Sequence, residues 1–319
     1  MNNNGLKNCK PGETFNGYCV IRKKELKFKK DGESYLKMEF GDSTGRIGGK
    51  IWTDAQERYK NLKTGQVVKI RGKIRQYNQN KEIHIESVQQ VRENEKIMKK
   101  KLVPVSRKDV EKLKEGFLKH KASIQNQCLK NLLEKIFSDK SFLNRYMQMP
   151  SGKLWHHQYL FGVLEHLVCL MDLSEIMYQH YPTLNLDLLK TAMITHFLGN
   201  LREYDQDGFI NYSREGRLLG HALLSIQQLD LYIKSMEDFP EELKIQLYHL
   251  IVSNESQNGE PSQVLPMTRE AILLTNLIRL DVQANAVERI LCHDKLEGSS
   301  WTKFNNLLNR FIYEKTIPR

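Results

Sequence analysis

Hydrophobic and polar positions alternate with period two through the first third of the chain. From Ser34 to Phe40, Leu36, Met38 and Phe40 fall on one face and Tyr35, Lys37 and Glu39 on the other, the pattern of a strand with one side buried. Gly41-Asp-Ser-Thr-Gly45 follows as a turn, and Arg46 to Trp52 reads as the next strand. The clearest alternation runs from Gln66 to Tyr77, where Val68, Ile70 and Ile74 face one way and Lys69, Arg71, Lys73 and Arg75 the other. Lys81 to Val91 supplies a further strand with Ile83 and Ile85 inward. About five short strands in roughly 80 residues suit an OB-fold, a small Greek-key barrel.

Beyond Pro104 the period changes. Ser106-Arg-Lys-Asp109 is a capping box that opens a helix. Between Ser123 and Phe137 the apolar positions Ile124, Cys128, Leu132 and Ile136 recur at helical spacing, as do Phe161, Leu164, Val168 and Met171. Pro240, at a first helical position, precedes Leu243, Leu247, Leu250 and Ile251. The pattern predicts a multidomain chain: an N-terminal all-β domain over 1–95, a charged connector with linking helices over 96–150, and an all-α domain over 151–319. The connector carries Lys99-Lys100-Lys101.

Charge sharpens this division. Met1 to Lys101 holds 24 Lys+Arg against 12 Asp+Glu, a net +12, whereas Leu102 to Arg319 holds 25 against 26, a net −1. The whole +11 of the chain therefore resides in the barrel and the connector, as expected of a polyanion-binding module joined to a neutral domain. In an OB-fold that binds single strands, Lys and Arg track phosphates while exposed aromatics stack on bases. The phosphate candidates are Lys37, Arg46, Lys50, Lys69, Arg71, Lys73 and Arg75, and the stacking candidates are Tyr35, Trp52 and Tyr77. Against this stands a plainer reading, in which the charges only solvate a sheet face and Trp52 packs inside. The basic run Arg22 to Lys30 adds charge and one aromatic, and such runs are often only hydrated.

Histidines mark the second domain. His166 lies in the apolar stretch Phe161 to Met171, and a histidine there, taken alone, is more often a hydrogen-bonded core residue than a ligand. Five blocks give it another meaning: His156-His157, Gly162-Val-Leu-Glu-His166, Tyr181 to Leu189, Gly216-Arg-Leu-Leu-Gly-His221 and Tyr248-His-Leu-Ile-Val-Ser253. In this order, with Thr195-His196-Phe197-Leu198-Gly199-Asn200 among them and a strand-rich segment before them, they resemble the HD domain of the YhaM-like 3'-5' exoribonucleases. The resemblance implies an all-α HD-type domain after the OB-fold and a metal centre in which His166, His196 and His221 match histidine ligands.

The same resemblance exposes departures from the family's pattern. Phe197 stands where the aspartate of the His-Asp pair belongs, and Ile278 where a late aspartate ligand belongs. Asn200, Asn254 and Glu255 depart as well. A benzyl ring neither coordinates a cation nor offsets its charge. Without the cation, water keeps a pKa near about 15.7 instead of about 7, so no hydroxide nucleophile forms near neutrality. The expectation is a noncatalytic protein that binds single-stranded RNA or DNA, with at most a weakly bound divalent metal at His166, His196 and His221. The alternative is an active metal-dependent 3'-5' exoribonuclease with a rearranged ligand set drawn from Glu255, Asp281, Asp205 or Asp207. His156 and His157 read as phosphate-binding or helix-capping groups, and His180, His249 and His293 as structural.

The remaining bounds are brief. Cys9, Cys19, Cys128, Cys169 and Cys292 contain no Cys-x-x-Cys pair, which argues against a disulfide framework or a zinc knuckle. No stretch approaches the roughly 18 apolar residues of a membrane span, and Met1 to Lys7 lacks an apolar signal core, so a cytoplasmic protein is expected.

Overall fold

The structure, a computed structural model, describes residues 5–77, 80–91, 101–152, 156–205, 210–254, 264–293, 299–306 and 308–315. Its contacts divide the chain into one unit ending at Val105 and a second beginning at Ser106.

The first unit is a closed five-stranded barrel. Its strands are β1 (Thr14–Phe28), β2 (Ser34–Asp42), β3 (Gly45–Ile51), β4 (Val67–Tyr77) and β5 (Asn80–Gln90), and helix α1 (Ala55–Asn61) lies between β3 and β4. The order around the barrel is β1-β2-β3-β5-β4, antiparallel except for β3 against β5. One long strand makes closure possible: the first half of β1 pairs with β4 and its second half with β2, with a bulge between Ile21 and Lys23. Such a bulge bends a strand so that it can serve two neighbours.

The alternation read from the sequence sets which side chains fill the barrel. Leu36, Met38 and Phe40 from β2, Val68, Ile70 and Ile74 from β4, and Ile83 from β5 are buried together with Ile21, Ile47 and Ile51. Ile85 is only partly buried, because the β4–β5 register shifts between Arg71 and Gly72 and brings Val88 against the core after it. The predicted turn after Phe40 is held by a buried carboxylate. Asp42 accepts from the backbone N–H groups of Leu6 (2.7 Å), Thr44 (2.8 Å) and Gly45 (3.1 Å).

The second unit is helical. Its helices are α2 (Val110–Ala122), α3 (Gln127–Ile136), α4 (Lys140–Gln148), α5 (Gly162–His180), α6 (Leu186–His196), α7 (Asn200–Glu203), α8 (Arg214–Lys234), α9 (Glu241–Val252) and α10 (Arg269–His293). Helices α2 to α4 lie in the segment that the sequence set apart as connector, and they pack on α5, α6 and α8. Asp109, not Ser106, caps α2, accepting from Glu111 N–H and Lys112 N–H. Ser106 instead donates its hydroxyl to Glu165 at 2.6 Å. Pro240 is the N-cap of α9 rather than its first residue. Helix is not universal beyond Pro104: β6 (Tyr204–Asp205) pairs with β7 (Asn211–Tyr212), and Trp301 and Tyr313 form an antiparallel bridge. Among the described residues no helix is long and apolar enough to cross a membrane.

Removing the Asp42 carboxylate leaves the buried Leu6 N–H without its acceptor, an error that costs about 1–3 kcal/mol by itself. Asp42→Ala is therefore expected to lower barrel stability by about 2–3 kcal/mol, read as a fall in the urea midpoint of the full chain. A midpoint equal to that of the unsubstituted protein would show that the turn holds without it.

Candidate nucleic-acid interface and histidine centre

Strand register turns the scattered basic residues of the barrel into a row. Lys37 on β2 lies opposite Lys50 on β3, Lys50 opposite His84 on β5, and His84 opposite Lys73 on β4. All four occupy outward positions, because their neighbours Leu36, Met38, Ile51, Ile83 and Ile74 point into the core. Arg71 and Arg75 extend the outward face along β4, and both are exposed. Lys69 lies 5.8 Å from the ring of Tyr18. Three candidates are ion-paired: Arg46 with Glu39 (3.6 Å), Lys50 with Glu82 (2.8 Å) and Arg71 with Glu86 (3.3 Å). Surface pairs of this kind are worth about 0–1 kcal/mol, so a phosphate can displace the carboxylate.

Beside that row sits an aromatic pair. Trp52, 40% exposed and thus not inside the barrel, stacks on Tyr35 with ring centroids 4.9 Å apart and planes 28° apart. The Trp52 Nε1–H donates to His84 Nε2 at 3.1 Å, which makes that nitrogen an acceptor and the imidazole neutral. Burial, then the nearby Arg75 and Lys50 charges, lowers the His84 pKa and holds it in that form. The Lys29 ammonium stands 5.2 Å from the Trp52 ring. The side chain of Tyr77 lies outside the described residues.

The helical unit gathers its histidines differently from the expected set. Among the described residues the donor atoms that converge belong to His157, His166 and Asp281, all within 4.8 Å of one another and all buried. Asp281 accepts from His157 Nε2 at 2.7 Å and also from His166 Nδ1. His157 is further held by Tyr159 Oη at 2.8 Å. His196 and His221 form a separate pair, Nε2 to Nε2, at 3.2 Å. His156 bonds Ser151. His157, expected as a phosphate or capping group, is thus a partner of Asp281. Asp281 lies three residues beyond Ile278, one turn along α10 and on the same side of the helix. Only the three-dimensional contact identifies this pair, since 124 residues separate His157 from Asp281.

Phe197 explains the split. It caps α6 and is buried, with its ring edge-on to His166 (5.4 Å, 81°) and to His196 (4.9 Å, 87°). Close packing of α6 on α8 holds this arrangement. A Cβ on Gly199 would stand 2.3 Å from His221 O, and Ser225 Oγ accepts from Gly199 N–H while donating to His196 O. Gly220 breaks α8 with φ 73°, a conformation that only glycine adopts without strain, and so turns His221 toward His196. Asn200 is buried and donates to Pro150 O. Asn254 ends the described part of its loop, and Glu255 and Asp207 lie outside the described residues.

The fit of a metal follows from these positions. His166 Nε2 and His196 Nδ1 are buried without a hydrogen-bond partner. Yet the group between the two rings is a benzyl, which supplies no lone pair. His157, His166 and Asp281 can hold one ion as a two-histidine, one-carboxylate set. His166, His196 and His221 do not bring three donor atoms together in the same way among the described residues.

Burial also fixes the charge of the cluster. Desolvation is the first cause in each case: it lowers His166 and pushes His156 and His196 well down, and it takes His221 to about 4. These imidazoles are neutral in the fold. Below the unfolded histidine pKa of about 6.5 the unfolded chain binds protons that the folded one refuses, so stability is complete above that pH and falls on acidification toward 4. Each such histidine contributes up to about 1.4 kcal/mol per pH unit. Urea unfolding of the full chain between about pH 7.5 and about pH 5 should show this loss, with a shallower slope in His221→Gln. Stability independent of pH there would mean that the folded imidazoles take up protons as readily as the unfolded ones.

Comparison with known proteins agrees with both halves. The family model described as an OB-fold nucleic acid binding domain matches residues 20–91. The 3'-5' exoribonuclease YhaM of Geobacillus sp. (strain WCH70) is 24% identical over 311 residues, 97% of this chain and 94% of the relative. The protein of the same name from Bacillus subtilis (strain 168) is 24% identical over 309 residues, 97% of each. Among solved structures, the second OB-fold domain of replication protein A from Methanococcus maripaludis is 21% identical, with a TM-score of 0.22, covering 28% of this chain and 94% of that one. The likeness to the proteins named 3'-5' exoribonuclease YhaM thus runs through barrel and helical unit alike.

Proposed function

We propose that this chain is a single-strand nucleic-acid-binding protein, RNA being its polymer, built on the YhaM-like scaffold, and that its HD-type helical unit does not hydrolyse RNA by the family's metal chemistry. The observation that carries the binding half is the row Lys37-Lys50-His84-Lys73 beside the Tyr35–Trp52 stack. Phosphates lie along a cationic track while bases stack on aromatic faces, and neither contact demands a sequence. RNA is favoured over DNA because the full-length relatives are named exoribonucleases. The observation that carries the noncatalytic half is Phe197, whose ring takes the place of a carboxylate between His166 and His196.

One contact favours a second reading, the active exoribonuclease with a rearranged ligand set. His157, His166 and Asp281 converge closely enough to hold a single ion. A divalent cation there would supply Lewis acidity and an acidified water. This chain's own part would be to fix the ion by two imidazoles whose orientation Tyr159 and the carboxylate set.

Fluorescence anisotropy of the full chain with an unstructured RNA, titrated at several salt concentrations, tests the binding half. Each phosphate contact to a single strand contributes about −0.7 to the slope of log affinity against log salt. Lys37→Glu and Lys73→Glu should each weaken binding and flatten that slope, whereas Trp52→Ala should weaken binding and leave the slope nearly as it was. End-labelled RNA incubated with the same protein and Mn2+ should stay intact. Binding indifferent to both lysines would defeat the interface, and a degradation ladder lost in His166→Ala would establish the second reading.

A further inference from the structure

The described C-terminal residues fold back on themselves. Trp301 bridges Tyr313 and Asn305 bridges Arg310, both antiparallel. Backbone bonds run from Thr302 N–H to Ile312 O (2.9 Å) and from Glu314 N–H to Ser300 O (2.8 Å), and the return passes through Asn309 at φ 50°. Thr302 is buried, at 1% exposure. The segment also carries rings. Tyr313 and Phe311, two residues apart on an extended chain, share a side. Trp301 sits opposite Tyr313 with centroids 4.8 Å apart, and Phe304 meets Phe311 at 5.2 Å. All four rings remain half in solvent, Trp301 at 50%, Phe304 at 47%, Phe311 at 56% and Tyr313 at 52%.

Four adjacent rings left in water are costly, and a monomer seldom keeps such a patch unless something binds it. Charge indicates what binds. The hairpin segment 299–315 holds Lys303, Arg310 and Lys315 against Glu314, a net +2, within a portion of the chain, 102–319, that is otherwise net negative. Aromatic faces among cations are the chemistry that captures stacked bases and their phosphates.

We infer that this C-terminal aromatic hairpin is a second binding surface for single-stranded RNA, separate from the barrel and stacking bases on Trp301, Phe304, Phe311 and Tyr313. The inference rests on the reading of the chain as an RNA-binding protein. It adds a site in the helical unit, which accordingly holds RNA without cutting it.

The test uses the full chain and an unstructured RNA long enough to reach more than one site. Ultraviolet crosslinking followed by peptide mapping should give adducts at Trp301, Phe311 or Tyr313 in the unsubstituted protein. Trp301→Ala with Phe311→Ala should weaken binding at least about fivefold, and Trp301→Phe with Phe311→Tyr, which keeps the rings, should restore it. Tyr35→Ala with Trp52→Ala serves as the barrel control. Loss in the barrel variant alone, with no crosslinks in the hairpin, overturns the hairpin and leaves the barrel reading standing; no binding by any form defeats both. If the alanine pair instead turns an oligomer into a monomer by analytical ultracentrifugation and RNA affinity stays unchanged, the patch is a contact between copies and the inference fails.

Discussion

The ring of Phe197 meets the imidazoles of His166 and His196 at nearly right angles, within a cluster whose burial lowers the pKa of both. A carboxylate in this position would favour a cation and protonated or metal-bound imidazoles. A ring desolvates its neighbours instead, and burial holds His166 and His196 neutral. Asp281 then serves as an acceptor for His157 and His166, and these contacts hold its carboxyl well below the usual carboxylate range despite its burial. The cluster is satisfied largely from within the protein, through histidine–aspartate and histidine–histidine bonds.

The barrel depends on a different constraint, the two-residue period of its strands. Once Leu36, Met38, Ile70, Ile74 and Ile83 are committed inward, Lys37, Lys73 and His84 have no choice but to face water. Register does the rest, since a one-residue slip would send these cations into the core and the isoleucines out. The parallel contact of β3 with β5 places Lys50 against His84 and closes the row. His84 has a second task there, accepting from Trp52 and so fixing the indole that stacks on Tyr35.

Much of this was legible in the sequence because it follows from periodicity. The inward and outward faces of β2 and β4 could be read residue by residue, and the helical character after Pro104 from recurring apolar positions. The motif around His196 and Phe197 pointed to the buried histidines and to the ring that packs against them. What could not be read depends on contacts distant in sequence. Asp281 stood in the sequence only as one of four alternative ligands, and the packing of α10 against α5 is what brings it to His166. His157 gave no sign of joining it. The separation of His196 and His221 from His166 follows from the volume of a side chain, which a pattern of ligand types does not encode. Trp52 could have packed inside or stood outside, and its contacts with Tyr35 and His84, on two other strands, hold it outside. The C-terminal rings have neither strand alternation nor helical spacing, because an irregular register joins them.

If the ring at position 197 is what keeps a hydrolytic cation from this centre, returning a carboxylate should admit one. Isothermal titration of Mn2+ into the full-length protein and into Phe197→Asp, with helical content checked by circular dichroism, measures this directly. The predicted result is no saturable uptake by the unsubstituted chain and stoichiometric binding by the variant. Tight, stoichiometric Mn2+ binding by the unsubstituted chain would contradict the account.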